Sequence, residues 1–155
     1  MLLPGTVIRE RASKPMIKKP FAELIAVLLI ILFIYTASSK LLDIGAFRKQ
    51  MLNQPLPVTL KQNLIWLVPV SEITISVFLI IKSARLYGFL LAFLLMLGFT
   101  LYVGLILANT FAYIPCSCGG IFNTLSWQAH LIFNIVFTLL ALAGFIIERK
   151  RRLMT

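Results

Sequence analysis

Four long runs of apolar residues, separated by short polar segments, dominate the pattern of this chain. Each run is close to the roughly 20 residues with which an α-helix crosses a bilayer. The predicted spans are about 21–38, 63–81, 86–108 and 126–147. The pattern therefore predicts an all-α integral membrane protein whose residues 21–148 form a four-transmembrane-helix bundle.

The segment between the first two runs carries a shorter amphipathic pattern. Ile44, Phe47 and Met51 recur at i, i+3 and i+7, so they share one face of a helix. Arg48 and Lys49 fall on the opposite face. This pattern predicts a short interfacial helix in the first loop, with its apolar face turned away from water.

The third run carries a stripe of small residues at four-residue intervals, interrupted only by Met96. Its members are Ala84, Gly88, Ala92, Thr100, Gly104 and Ala108. Small side chains let two membrane helices approach closely. We therefore expect another span to pack tightly against this face.

Two of the apolar runs hold polar side chains at similar depth. Glu72 lies about 13 Å along the second run, and Asn134 lies about 12 Å along the fourth. A carboxyl group is costly in the hydrocarbon core and usually faces the interior of a bundle. We therefore expect Glu72 to face the fourth span, where the matching depths permit a hydrogen bond to Asn134.

The fourth run has a face that is unlike the others. Trp127, His130, Asn134, Thr138 and Ala141 recur at i, i+3, i+7, i+11 and i+14. One interpretation is polar contacts that hold helices together. In the other, His130 accepts a proton from a cysteine thiol or favours the thiolate as a positive neighbour. Trp127 also fits an anchor at the membrane interface.

Composition strengthens the membrane assignment and argues against nucleic acid as a partner. The chain has 155 residues, of which 60% are hydrophobic, whereas a soluble domain is nearer half apolar. A net charge of +10 would suit nucleic-acid binding. Most Lys and Arg residues, however, flank the apolar runs, so we expect the lipid bilayer to be their partner.

The distribution of basic residues predicts an orientation. Lys and Arg number 5 in residues 1–20, 2 in residues 82–85 and 4 in residues 149–155, which makes 11 in all. The first loop holds 4, which opposes the assignment, and the last loop holds none. Cytoplasmic segments carry the excess of basic residues. Residues 1–20 and 149–155 are therefore predicted to be cytoplasmic tails of a bacterial inner-membrane protein, and the last loop faces the oxidising periplasm.

Both cysteines of the chain lie in that last loop, in the sequence Pro115-Cys116-Ser117-Cys118-Gly119-Gly120. A single pair cannot pass electrons between two internal disulfides, so any exchange must involve a partner protein or a membrane quinone. A static disulfide or inert thiols stay open as alternatives. A metal site also stays open as an alternative, although a soft metal ion would need more ligands than two thiolates and His130. The predicted periplasmic side favours redox exchange.

Three stretches of the chain resemble the MauE/DoxX-like redox-associated membrane proteins, in a variant similar to that of Bacteroidetes-type bacteria. They are residues 35–43, Glu72 in the second span, and residues 115–120 leading to residues 125–134. The resemblance implies a four-helix membrane bundle. Its MauE branch is linked to disulfide formation and maturation of methylamine dehydrogenase, beside a thioredoxin-like partner. Gly119 stands where the methylamine-utilisation form has an aromatic residue, so the resemblance carries only the redox class, onto Cys116 and Cys118.

Taken together, these features predict thiol–disulfide exchange at the periplasmic face, supporting oxidation or maturation of a thioredoxin-like or secreted partner. Cys116 and Cys118 form the predicted redox pair, and His130 tunes a thiol. Glu72 and Asn134 hold the bundle or a proton path. Two rival functions are a non-catalytic anchor or assembly subunit of a larger complex, and a small-solute or proton transporter.

Overall fold

A computed structural model describes residues 18–110 and 126–154 of the protein. Within these ranges the chain forms helices and no strand. The helices are α1 (Lys18–Leu42), α2 (Ile44–Leu52), α3 (Val58–Ile80), α4 (Arg85–Leu107) and α5 (Trp127–Leu153). All except α2 are long and apolar enough to cross a membrane. The predicted fold class, an all-α protein with four membrane spans, is confirmed.

The four spans close a ring around a common core. α1 packs against α3 and α5, and α4 packs against the same two helices. All four contribute buried apolar side chains, including Leu29, Leu79, Phe89 and Ala141. Many apolar residues on the outer faces stay exposed, as Leu139 does at 59%. Such a surface would be costly in water, but lipid covers it in a multi-pass membrane protein.

The small-residue stripe of α4 produces close packing at one end of the bundle only. A Cβ added at Gly88 would lie 2.8 Å from the backbone nitrogen of Leu79, so α3 and α4 touch there. On α5, a Cβ at Gly144 would overlap the ring of Phe89. At Gly104, by contrast, an added Cβ meets nothing within 4 Å. The tightly packed end is therefore the one that carries the turn between α3 and α4.

The predicted amphipathic helix is confirmed as α2. The side chain of Asp43 caps it by accepting a hydrogen bond from the backbone nitrogen of Ala46 at 2.9 Å. Phe47 and Met51 are buried and pack with Ile65 of α3. α2 therefore uses its apolar face to cover the first half of α3.

Several helices extend beyond the predicted spans, because a span read from hydropathy stops at the first charge, whereas helical hydrogen bonds continue past it. α1 extends to Leu42 and includes Lys40, which the span prediction leaves in the first loop. α3 begins at Val58, after Pro57 in the N-cap position, rather than at residue 63. α5 continues to Leu153 and takes in most of the predicted C-terminal tail.

Candidate functional site

An ion pair between a buried carboxylate and a partly buried ammonium group joins α1 to α3 inside the bundle. Lys40 Nζ lies 2.7 Å from Glu72 Oε1, and the two side chains are 13% and 2% exposed. Lys40 Nζ also donates to the carbonyl oxygen of Thr36 at 3.4 Å and lies 5.9 Å from the centre of the Phe47 ring. A charge in a membrane interior is costly unless it is paired, so each of the two residues makes the other's burial tolerable.

The hydrogen bond between Glu72 and Asn134 that their matching depths permit does not form, and Glu72 pairs with Lys40 instead. Asn134 is 3% exposed, and its Nδ2 atom has no hydrogen-bond partner among the described residues. The same holds for the second carboxylate oxygen of Glu72, Oε2. The depth of Glu72 correctly predicts a side chain inside the bundle. The nearest opposite charge, however, comes from Lys40 on α1 and not from α5.

The ion pair and Asn134 line a common cavity of about 630 Å³. Proteins bind small molecules in cavities of about 300–1,000 Å³ that are mostly apolar and contain a few polar groups. Most of the wall here is apolar, and all five helices contribute to it. Its larger polar side chains are Lys40, Gln54, Glu72, Tyr102, His130 and Asn134. The cavity therefore has the size and the lining of a small-molecule site.

The cavity lies at the end of the bundle where α4 finishes and α5 begins. Tyr102 of α4 donates a hydrogen bond to Gln54 Oε1 at 2.6 Å, which fixes the wall beside α2. Trp127 and His130 form the first turn of α5, with ring centres 6.3 Å apart and an angle of 12° between their planes. Ser126 caps that turn by accepting a hydrogen bond from Ala129 N at 3.3 Å. The start of α5 thus holds two stacked rings in the cavity wall.

The sequence leaves two interpretations of the polar face of α5 open, contacts between helices and a functional site, and each applies to one part of the face. Trp127, His130 and Asn134 line the cavity. Deeper in the bundle, the hydroxyl oxygen of Thr138 lies 2.9 Å from that of Thr100 on α4, which is a polar contact between helices. The face therefore forms a cavity wall in its first two turns and a helix–helix contact after them.

Lys40 and the Gln54–Tyr102 pair are site residues that the sequence analysis missed. A signal for Lys40 exists in its spacing, because Phe33, Ala37 and Lys40 recur at i, i+4 and i+7, and the first two are buried. The pairing of Gln54 with Tyr102 joins residues 48 positions apart, which no local pattern predicts.

Cys116 and Cys118 lie outside the described residues, so their pairing and their distance from His130 stay predictions. Their segment, residues 111–125, joins Thr110 to Ser126. Both of these residues flank the helix ends at the cavity. The two described residues that flank the cysteine segment therefore lie on the side of the bundle on which the cavity lies.

The fold and the cavity define a multi-pass membrane protein with a polar site inside a four-span bundle. The model of the family described as methylamine utilisation protein MauE matches residues 18–147, so the chain belongs to the MauE family. This confirms the family resemblance of the sequence. No curated protein and no solved structure matches the chain.

Proposed function

We propose that this MauE-family membrane protein exchanges thiols and disulfides with a partner protein through Cys116 and Cys118. The observation that carries the proposal is the position of the two described residues that flank the cysteine segment. Thr110 and Ser126, which flank that segment, lie at the helix ends nearest the cavity. The redox class itself is the one that the resemblance of the sequence to MauE/DoxX-like proteins implies.

The exchange conserves atoms and electrons. A thiolate of the reduced partner attacks the Cys116–Cys118 disulfide and forms a mixed disulfide, which the partner's second thiol resolves. The partner loses two electrons and two protons, and the cysteine pair gains them. A thioredoxin-like or secreted protein with two thiols fits this role. The protein then needs an oxidant before it can act again.

The basic residues support a periplasmic position for the cysteines in a bacterial inner membrane. The first loop and its flanks hold four basic residues, against 11 on the other side. The periplasm is kept oxidising, which is the condition that a disulfide donor requires. Both termini would then be cytoplasmic.

Proton-coupled transport is the second candidate function, and the Lys40–Glu72 pair favours it. Ionisable residues inside a membrane often mark proton or solute pathways. Transport predicts that a chain without cysteines keeps its activity, whereas thiol exchange predicts a complete loss. The two candidates are therefore separable with one variant.

Trapping of mixed disulfides tests thiol exchange. In cells that carry Cys116→Ser or Cys118→Ser, the remaining cysteine cannot be resolved internally and should hold the partner in a complex that reductant dissolves. The double variant Cys116→Ser/Cys118→Ser is the control and should trap nothing. If neither single variant yields a reductant-sensitive complex while both accumulate in the membrane, the proposed function is wrong.

A further inference from the structure

We propose that the cavity around Lys40 and Glu72 binds the head group of a membrane quinone. The bound quinone takes up the two electrons that are released when Cys116 and Cys118 form their disulfide. The source of those electrons rests on the proposed function, whereas binding rests on the cavity alone. The two parts can therefore fail separately.

The polar atoms of the cavity match both redox forms of a quinone. Lys40 has three N–H donors, of which Glu72 Oε1 and the Thr36 carbonyl take two. The third donor and the buried Nδ2 group of Asn134 suit the carbonyl oxygens of a quinone. Glu72 Oε2, which is also buried without a partner, suits a hydroxyl group of the hydroquinone. Unsatisfied buried polar atoms are costly, so a ligand that pairs with them gains affinity.

The charge of the site favours a neutral ligand. Lys40 and Glu72 are the charged side chains of the described cavity wall, and they compensate each other at 2.7 Å. A fatty-acid carboxylate or a lipid phosphate would find no net positive charge there. A quinone head group is uncharged, planar and rich in hydrogen-bond acceptors. The rings of Trp127 and Phe133 in the wall offer flat surfaces for such a ligand.

The cavity also reaches the lipid-facing surface of the bundle. Leu60 and Leu67 of α3 and Leu94 of α4 line it, yet they are 43%, 59% and 52% exposed. Gly98 of α4 belongs to the same wall and is exposed, with nothing within 4 Å of an added Cβ. An opening between α3 and α4 would let an isoprenoid tail stay in the bilayer while the ring enters the cavity. A water-soluble oxidant would gain nothing from this apolar entrance.

The redox step balances with the quinone as oxidant. The two S–H bonds of Cys116 and Cys118 break and one S–S bond forms. Two electrons and two protons pass to the quinone, whose two carbonyl oxygens become the hydroxyl groups of the hydroquinone. No further reactant is needed, and the regenerated disulfide can accept electrons from the next partner.

Binding is tested with decylubiquinone and the fluorescence of Trp127. The protein is purified with Cys116→Ser and Cys118→Ser, which removes thiol chemistry, and with Trp66→Phe, so that Trp127 is the remaining tryptophan. Decylubiquinone should quench its emission with saturation. Decan-1-ol, which has the apolar tail but no ring, should not displace it. Equal displacement by decanol would assign the cavity to acyl chains and overturn the proposal.

Two matched glycine variants locate the site. Gly98→Leu places a larger side chain in the cavity wall, so it should weaken binding and raise the half-saturation concentration by about tenfold or more. Gly104 is on the same helix, and a Cβ added there also meets no atom within 4 Å, but it is not part of the cavity wall. Gly104→Leu should therefore leave binding unchanged. Asn134→Leu should weaken binding about tenfold, the effect of one lost hydrogen bond. Unsaturable quenching that is equal in all variants would overturn the quinone site.

The outcomes separate this proposal from the proposed function. Trapped partner complexes without saturable quinone binding would leave thiol exchange standing and would overturn the quinone as oxidant. Saturable binding, together with a reduced cysteine pair that fails to bleach the absorbance of decylubiquinone, would overturn the electron transfer. Bleaching of one quinone per cysteine pair in the protein with both cysteines, and none in the double serine variant, supports the whole proposal.

Discussion

The two ends of the helix bundle are built in opposite ways. At the end near the α3–α4 turn, Gly88 and Gly144 bring helices close together, and Phe89 fills the remaining space. At the other end the four spans and α2 surround a cavity of about 630 Å³, whose wall holds the Lys40–Glu72 pair. One end is closed mainly by apolar contact, and the other leaves an open space with polar groups in its wall.

This difference separates stability from chemistry within one short chain. At the closed end, shape decides the contacts of Gly88 and Gly144, because lipid surrounds the bundle and small residues are enough to bring helices together. The two charged side chains buried there are paired: Arg85 Nε donates to the carbonyl oxygen of Leu79 at 3.1 Å, and Glu148 Oε2 lies 2.9 Å from Arg151 Nη1. The open end keeps charged and polar groups that cost free energy when they are buried, and it keeps space between them. We therefore expect substitutions at the closed end to act on unfolding alone. Substitutions at the open end should act on unfolding and on ligand binding.

The largest effect is expected from breaking the ion pair. Glu72→Leu leaves the Lys40 ammonium buried without a counter-charge and should lower the free energy of unfolding by about 3–5 kcal/mol. Glu72→Gln keeps an acceptor for Lys40 and should lose less. Denaturant unfolding in detergent micelles, followed by circular dichroism, gives both values.

The double variant Lys40→Met/Glu72→Leu is the matched control for this prediction. Replacing a buried pair by apolar side chains of similar volume is often neutral, so the double variant should regain most of the stability. If Glu72→Leu and the double variant unfold at the same denaturant concentration, the single substitution acts through packing and not through the stranded charge.

A smaller effect is expected at the closed end. The methyl group of Gly144→Ala overlaps the ring of Phe89, so this variant should lose about 1–3 kcal/mol. Adding Phe89→Leu should return part of the loss, because the smaller side chain makes room. Gly104→Ala, which meets no atom within 4 Å, should be neutral or slightly stabilising, since alanine favours the helix. Equal losses at the two glycines would contradict the division into a closed end and an open end.

The sequence predicted the spans and the faces well, because both depend on local periodicity. The apolar runs identify four membrane helices, and the spacing of Phe47 and Met51 identifies the buried face of α2. Likewise, the face from Trp127 to Ala141 does point inward. In each case, one helix and its surroundings are enough to make the prediction.

The partners of the buried polar groups could not be predicted in the same way. Glu72 was expected inside the bundle and lies there, but its partner depends on which helices are neighbours. Lys40 was assigned to a loop, since a positive charge marks the end of a span when hydropathy alone is used. A charged residue that is paired with an opposite charge on another helix can lie inside a span. A local pattern in the sequence cannot reveal such a pair, because it does not show which helices are neighbours. The cavity is likewise a property of the packed bundle.

The last prediction concerns which side of the membrane the open end occupies, and it should leave stability unchanged. In a chain with Cys116→Ser and Cys118→Ser, single cysteines are placed at the open end (Thr110→Cys) and at the closed end (Ser83→Cys), where both native residues are exposed. With 11 basic residues on the closed side and four on the other, an impermeant maleimide should label Thr110→Cys in intact cells and Ser83→Cys only after permeabilisation. The reverse labelling would place the cysteine segment in the cytoplasm, where thiols are kept reduced, and would remove the compartment on which disulfide donation depends.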